Sequence, residues 1–329
     1  DIASKKVSDK LLAHSRKIES TKDIASVATI SSGSKEIGDI IAKAMETVGK
    51  DGVINVDDSK GFETSLEVTE GLKYDKGFIS PYMLGDREKK DITLEGAYVL
   101  VTNNKINSIQ DILPVLEEVV KSHKPLLIIA DDIEQEALQT IILNKLRGTF
   151  NVVATKAPGF GDSQIQEEQD IALLVGAKFI EKDLDMKLED VSINDLGTSK
   201  KIIVAKDSTT IIGGNGDKKR LQEHIDKLEA QLKETTSKNE YEQIAKRLAK
   251  LSNGVSLIKV GATTESELKE KKLRIEDALN ATKAAVKEGI VSGGGASLIN
   301  IYKEIKDELT SDVVDVQRGM NVVLNSLSE

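Results

Sequence analysis

Between residues 98 and 204 short apolar runs suited to strands alternate with longer runs at helical spacing, and this alternation constrains the fold more than any other feature of the chain. Residues 98–102, 125–130, 152–155 and 201–204 read as strands. Residues 111–122, 134–147 and a stretch near 167–174 read as helices. Strand and helix in turn build an α/β layer with at least some parallel pairing. Pro114 suits this reading if Asp111 is the N-cap, because the first helical turn tolerates proline.

The first two of these helices carry more apolar surface than packing onto a core requires. At about 100° per residue, Ala137, Leu138, Ile141, Ile142, Leu143 and Leu146 spread over roughly two-thirds of the helix circumference. A surface helix needs an apolar stripe only a little over ~100° wide. The excess is either buried on several sides or kept open for a partner. Phe78-Ile79-Ser80-Pro81-Tyr82-Met83-Leu84 adds a proline-broken apolar segment that does not suit a regular central strand. Fully burying one Leu-sized side chain contributes roughly 1.5–3 kcal/mol. Leaving eight exposed forgoes more than ~10 kcal/mol, comparable to a domain's whole stability. Such an arrangement makes sense where the patch binds something.

The flanking segments have other textures. Val7, Leu11, Leu12 and Ile18 belong to an opening helical pattern, and residues 34–48 place Ile37, Ile40, Ile41, Ala44, Met45 and Val48 on one helix face, with Gly49 and Gly52 near its end. Residues 53–56 and 64–68 are short, β-branched strand candidates. In residues 218–251, Leu221, Ile225, Leu228 and Leu232 form one stripe and Tyr241, Ile244, Leu248 and Leu251 another, which predicts a helical hairpin. A strand over 255–260, a helix over 265–287 stopped by Gly289, and a further helix over 296–305 follow. The chain opens on Asp1 inside a charged helical pattern and reads as a piece of something longer.

At 329 residues the chain exceeds one average domain. A net charge of −9 and only 3% aromatic residues argue against nucleic-acid binding. The absence of cysteine rules out disulfides, thiolate catalysis and Cys-type zinc sites, and fits a cytoplasmic location. No apolar run approaches the ~18 residues of a membrane span. His14, His123 and His224 are far apart, without metal-ligand spacing. No G-x-x-x-x-G-K-[ST] loop and no G-x-G-x-x-G at a strand-to-helix turn occurs.

Two features carry candidate phosphate chemistry. Asp277 lies about 180° from the apolar face formed by Leu268, Ile275, Leu279 and Val286, so it looks outward. Alone it is a solvated charge; beside a phosphate and a water it orients or deprotonates that water. Gly293-Gly294-Gly295 ahead of a helix suits close approach of a phosphate to backbone N–H groups, although three such glycines also make a tight turn. Neither brings the lysine, threonine or second carboxylate that hold Mg²⁺ and a γ-phosphate.

Taken together, residues 124–131 (KPLLIIAD), 156–162 (KAPGFGD), 255–262 (VSLIKVGA), 271–279 (KKLRIEDAL) and 288–295 (EGIVSGGG) resemble the group I chaperonins, the GroEL family, at nearly constant spacing along the whole chain. The resemblance implies an apical α/β domain (70–255) inserted in a small intermediate domain (13–69 and 256–287), with remnants of an equatorial ATP-binding domain at 1–12 and 288–329. It implies an apolar surface for non-native polypeptides and a GroES-type co-chaperonin at Phe78, Tyr82, Met83, Leu113, Leu116, Leu138, Ile142 and Leu143. It makes Asp277 the water-activating aspartate and Gly293, Gly294 and Gly295 the nucleotide contact, with Gly294 foremost.

The same resemblance implies ATP and Mg²⁺ as cofactors of the full-length protein, a homo-oligomeric ring, and no nucleic-acid or membrane partner. It places the family's Gly-Asp-Gly-Thr-Thr phosphate loop before Asp1, so this stretch is expected to grip without turning ATP over. Phe78 and Met83 stand where the family often has tyrosine and phenylalanine. Ser163-Gln164-Ile165-Gln166 replaces its usual basic run and leaves the ion pairs of that helix open. Two other readings remain: a nucleotide-dependent enzyme on a doubly wound sheet, and an interaction scaffold working through the 218–251 hairpin.

Overall fold

The computed structural model describes residues 1–18, 20–49, 52–59, 61–85 and 90–328. In chain order the helices and strands are α1 (Ile2–His14), α2 (Thr21–Ser32), α3 (Lys35–Val48), β1 (Val53–Asp58), β2 (Ser65–Thr69), β3 (Gly71–Tyr74), β4 (Asp91–Val101), β5 (Lys105–Ile106), α4 (Leu113–Ser122), β6 (Leu126–Ala130) and β7 (Asp132–Ile133). They continue with α5 (Gln135–Leu146), β8 (Val152–Lys156), α6 (Asp162–Val175), β9 (Gly197–Ala205), β10 (Thr209–Gly214), α7 (Lys218–Glu234), α8 (Lys238–Ser252), β11 (Val255–Val260), α9 (Glu265–Glu288), α10 (Ala296–Ile305) and α11 (Val314–Ser328). The chain forms two compact units: Asp1–Lys50 with Val56–Leu66 and Ile258–Glu329, and Asp51–Asn55 with Glu67–Leu257.

The second unit is built on a mixed six-stranded sheet of order β3-β10-β9-β4-β6-β8. β4, β6 and β8 are parallel, and α4 and α5 make the two crossovers between them. β9 and β10 run antiparallel to their neighbours. β4 changes character along its length. Its first half alternates exposed and buried residues, and Val99, Leu100 and Val101 are all buried. One-sided strands face water on one side, whereas strands flanked by helices are apolar on both faces. All five residues of β6 are buried for that reason. Strand β10 and the first half of β4 lie outside the strands read from the sequence.

Helix α4 begins later than the sequence suggests. A 3₁₀ turn over Ile109–Ile112 precedes it, capped by Ser108, and Asp111 is the far half of that capping box and not the N-cap. Pro114 does sit in the first turn of α4. The α7–α8 hairpin forms, but its apolar stripe is spent internally: Leu221, Ile225, Leu228, Ile244 and Leu251 join the core of this unit.

The first unit is helical. α2 packs on α3 and α9, and Gly38 permits the close crossing of α2 and α3, since a Cβ there would overlap Thr29. α1, α10 and α11 enclose a separate apolar cluster around Val7, Ile301, Ile305 and Leu324. The segments after α1 and after α9 pair as a short antiparallel bridge: the Arg16 N–H donates to the Ile290 carbonyl at 2.8 Å, and the Ile290 N–H donates to the Arg16 carbonyl at 2.9 Å. α11 was not legible as a helix from the sequence. A small sheet of order β1-β11-β2 completes the fold.

Candidate functional site

Two pieces of the second unit converge on α5. The 3₁₀ turn Pro81–Leu84 packs against α5, and so does the Ile109–Ile112 turn that leads into α4. Proline opens the first turn, and the Ser80 hydroxyl accepts from the Tyr82 N–H. That conformation sends neighbouring side chains opposite ways. Tyr82 is 68% exposed, whereas Met83 is 0% exposed. α5 buries Ala137 and Ile141, half-buries Leu138 and Ile142, and leaves Leu143 at 48% and Leu146 at 56% exposure.

The eight apolar candidates therefore divide. Tyr82 and Leu143 face solvent, and Leu113, Leu138 and Ile142 are half-buried. Phe78, Met83 and Leu116 belong to the core, which corrects the expectation that all eight are open to a partner. Leu116 is 3% exposed because it shares the inner face of α4 with Val115 and Val119, one turn apart. Phe78 is held by backbone bonds, its N–H donating to the Ala205 carbonyl while Ile79 donates to Ala154. On α5 Leu146 is exposed as well; it was not among the eight, although its place in the helical spacing already announced it.

In the first unit Asp277 is exposed, and Ile275, Ala278, Leu279 and Thr282 form the buried face of α9. The shallow depression beside Asp277 is lined by its own helix alone: Glu270, Leu273, Arg274, Glu276 and Asn280. Gly293, Gly294 and Gly295 are exposed as well. Gly294 and Gly295 take positive φ values of 65° and 78°, and nothing lies within 4 Å of a Cβ built on any of the three. Gly295 is the N-cap of α10 and offers no side chain to the helix end. The Ala296 and Leu298 N–H groups donate to the Gly293 and Gly295 carbonyls, and with no side chain in the way the rest of the backbone at this end fits the approach of a phosphate. Among the described residues no group of three or more His, Cys, Asp or Glu side chains is arranged to hold a metal ion.

The ion pairs left open by the 163–166 segment are now visible. Asp170 on α6 is buried and accepts from Arg247 Nε at 2.7 Å, Arg247 Nη2 at 2.8 Å and His224 Nε2 at 2.7 Å. Burial alone would push the carboxyl of Asp170 up, but the Arg247 and His224 contacts outweigh it and the group titrates below its ordinary range. Gln166 also accepts from Arg247, and Lys250 bonds Glu167 at 2.7 Å. These contacts pin the α7–α8 hairpin to α6.

Glu168, two residues before Asp170, has both carboxyl oxygens buried without a hydrogen-bond partner among the described residues. Burial, with Asp131 and Glu181 nearby, pushes its pKa up to about 7, against a smaller opposing effect of Gln164.

Comparison with known proteins agrees with the motifs. The family model of the TCP-1/cpn60 chaperonin family matches residues 1–329. The chaperonin GroEL of Acholeplasma laidlawii (strain PG-8A) is 59% identical over 327 residues, covering 99% of this chain and 61% of that protein. The chaperonin GroEL proteins of Aster yellows witches'-broom phytoplasma (strain AYWB) and Onion yellows phytoplasma (strain OY-M) are each 57% identical over the same share. The chain thus spans about three-fifths of the length of these curated relatives. No helix among the described residues is long and apolar enough to cross a membrane.

Proposed function

The chain belongs to the TCP-1/cpn60 chaperonin family, and from that premise we propose that its second unit binds non-native polypeptide segments on the apolar face around α5. Residues 70–255 act as the apical domain, 13–69 and 256–287 as the intermediate domain, and 1–12 and 288–329 as parts of an equatorial domain. The observation that carries this reading is the exposure of Leu143 and Leu146 on α5 and of Tyr82 on the turn packed against it, with Leu138 and Ile142 half-buried on the same helix and Leu113 half-buried at the start of α4. A non-native chain exposes apolar side chains at irregular spacing. A face of leucine and isoleucine adapts to such a partner without demanding one sequence. Buried Phe78, Met83 and Leu116 serve the same face from below by fixing the turn and α4.

One face of this size holds a segment weakly, and a ring of them holds it tightly through avidity. In the longer protein a GroES-type co-chaperonin competes for the same face and drives a bound chain off it, and the assembly is cytoplasmic. ATP with Mg²⁺ supplies the free energy of the cycle when bound. This chain's contribution is positional: the backbone of Gly293, Gly294 and Gly295 admits a phosphate, and Asp277 orients a water and accepts its proton.

The test is titration of the chain with a fluorescent apolar peptide in wild type, Ile142→Glu and Leu143→Glu. Loss of binding in both variants, with unchanged circular dichroism, is expected. Equal binding by all three would defeat the assignment.

A further inference from the structure

Lys145 lies in the last turn of α5, seven residues after Leu138 and three after Ile142, so at helical spacing it continues the half-buried stripe those two begin. It is half-buried itself. The chain after α5 folds back over it: the Gly148 N–H donates to the Lys145 carbonyl, the Thr149 N–H donates to the Asn144 carbonyl, and the Leu126 N–H fixes the Asn151 carbonyl at the start of β8. The return brings the Asn151 side-chain oxygen onto Lys145 Nζ. Among the described residues that neutral amide is the ammonium's one polar partner, and no carboxylate pairs with it. Other half-buried lysines have one: Lys10 with Glu304, Lys250 with Glu167, Lys271 with Glu267.

We propose that Lys145 is an acylation site of this chain, taking an acyl group from an acyl phosphate. In the reaction the lone pair of neutral Nζ attacks the acyl carbon. The bond from that carbon to the phosphate oxygen breaks with its electron pair, phosphate leaves, and the amine proton passes to water; the product is an amide. The chemistry needs an uncharged amine that is reachable. Partial burial beside a neutral acceptor supplies the first, pushing the pKa down to about 8. At pH 7.5 roughly a quarter of such a group is neutral, against about one part in a thousand for an ordinary lysine. The position at the exposed end of α5 supplies the second. The product replaces a cation by a neutral amide in line with Leu138 and Ile142, which lengthens the apolar stripe. That consequence rests on the client-binding reading above; the reactivity does not.

The experiment treats the whole chain at pH 7.5 with a limiting amount of acetyl phosphate and follows each lysine by peptide mass spectrometry. Lys145 is expected to be acetylated at least about tenfold faster than exposed Lys121, Lys178 and Lys246. Asn151→Asp, which gives the ammonium a counter-charge, brings Lys145 down to their rate while theirs stay put. Lys145 reacting no faster than the exposed lysines, or indifferent to Asn151→Asp, overturns the proposal. Peptide affinity measured on the acetylated chain then reads the functional consequence separately: a two- to fivefold gain supports it, and no change with Lys145 fully acetylated leaves the site standing but removes its link to client binding.

Discussion

Arg247 grips Asp170 at two points, Nε to Oδ2 at 2.7 Å and Nη2 to Oδ1 at 2.8 Å, with both side chains buried. The planar fork matches the carboxylate, and His224 takes the remaining approach to Oδ1. Removing one partner of a buried pair leaves an uncompensated charge, which costs about 3–5 kcal/mol. Arg247→Ala is therefore expected to lower the urea midpoint of the second unit sharply. Arg247→Lys, which keeps charge but loses the second contact, is expected to fall between. The double change Asp170→Asn with Arg247→Met should be milder than Arg247→Ala alone, because no bare charge remains. Equal loss in all three would mean that the pair contributes only packing.

Glu168 sets a pH dependence of opposite sign to that of an ordinary surface acid. Its folded pKa of about 7 lies above the ordinary 4.5, so between those values the folded chain holds a proton that the unfolded chain has lost. Its contribution is fully present below about pH 4.5 and is lost as the pH rises through 7, on the order of 3 kcal/mol in all. Carboxyls with lowered values, such as Asp170 and Glu267, act at more acid pH and leave this window clear. Lys145, lowered to about 8, works in reverse and returns stability as the pH climbs from 8 toward 10.5. Thermal melts from pH 5 to 8 should show wild type losing stability and Glu168→Gln staying nearly flat. Parallel curves would show that Glu168 does not titrate in this range.

The layer order of the second unit was readable because strands buried on both faces, such as Leu126–Ala130, leave an uninterrupted apolar run. The α7–α8 hairpin was readable from two leucine-rich stripes. β10 escaped notice since Thr209, Thr210, Gly213 and Gly214 dilute its two isoleucines. In the site, helical spacing located the outward faces of α5 and α9. It could not say that Met83 and Leu116 turn inward, because adjacent positions in a tight turn or a short helix are assigned to core or solvent by the elements packed around them. Glu168 was invisible for the same reason: a glutamate in a polar stretch betrays burial only through its neighbours in space.

On the proposed function, Asp277 and the glycine turn make separable predictions for nucleotide turnover by the longer protein. Asp277→Ala removes the group proposed to accept the proton from water and leaves the backbone cradle alone. Hydrolysis should drop by about 10²–10⁴-fold, the usual contribution of a positioned general base, while ATP binding stays unchanged. Gly294→Val adds a β-branched side chain at φ 65°, a conformation costly for such a residue. Binding itself should weaken there. Isothermal titration with ATP and a phosphate-release assay distinguish the two. A loss of affinity in Asp277→Ala with hydrolysis per bound ATP intact would reverse the roles assigned here.

Leu143 and Leu116 provide the sharpest separation of binding from folding, since both were read as parts of one surface and the structure sets them 48% and 3% exposed. A carboxylate at position 143 stands in water and costs the fold little, usually within 0.5 kcal/mol for a surface change. The same charge also sits where an apolar segment would have to strip it of water, so affinity should fall at least tenfold. At position 116 the order inverts. Glutamate there meets Val115, Val119 and the rest of the core, where an ion is expensive unless paired. Leu116→Glu should melt many degrees lower and lose peptide binding only because the unit no longer folds. Leu116→Met, which nearly conserves volume, should keep both stability and binding. A Leu116→Glu variant of wild-type stability that binds no peptide would place Leu116 on the surface after all and restore the face of eight residues.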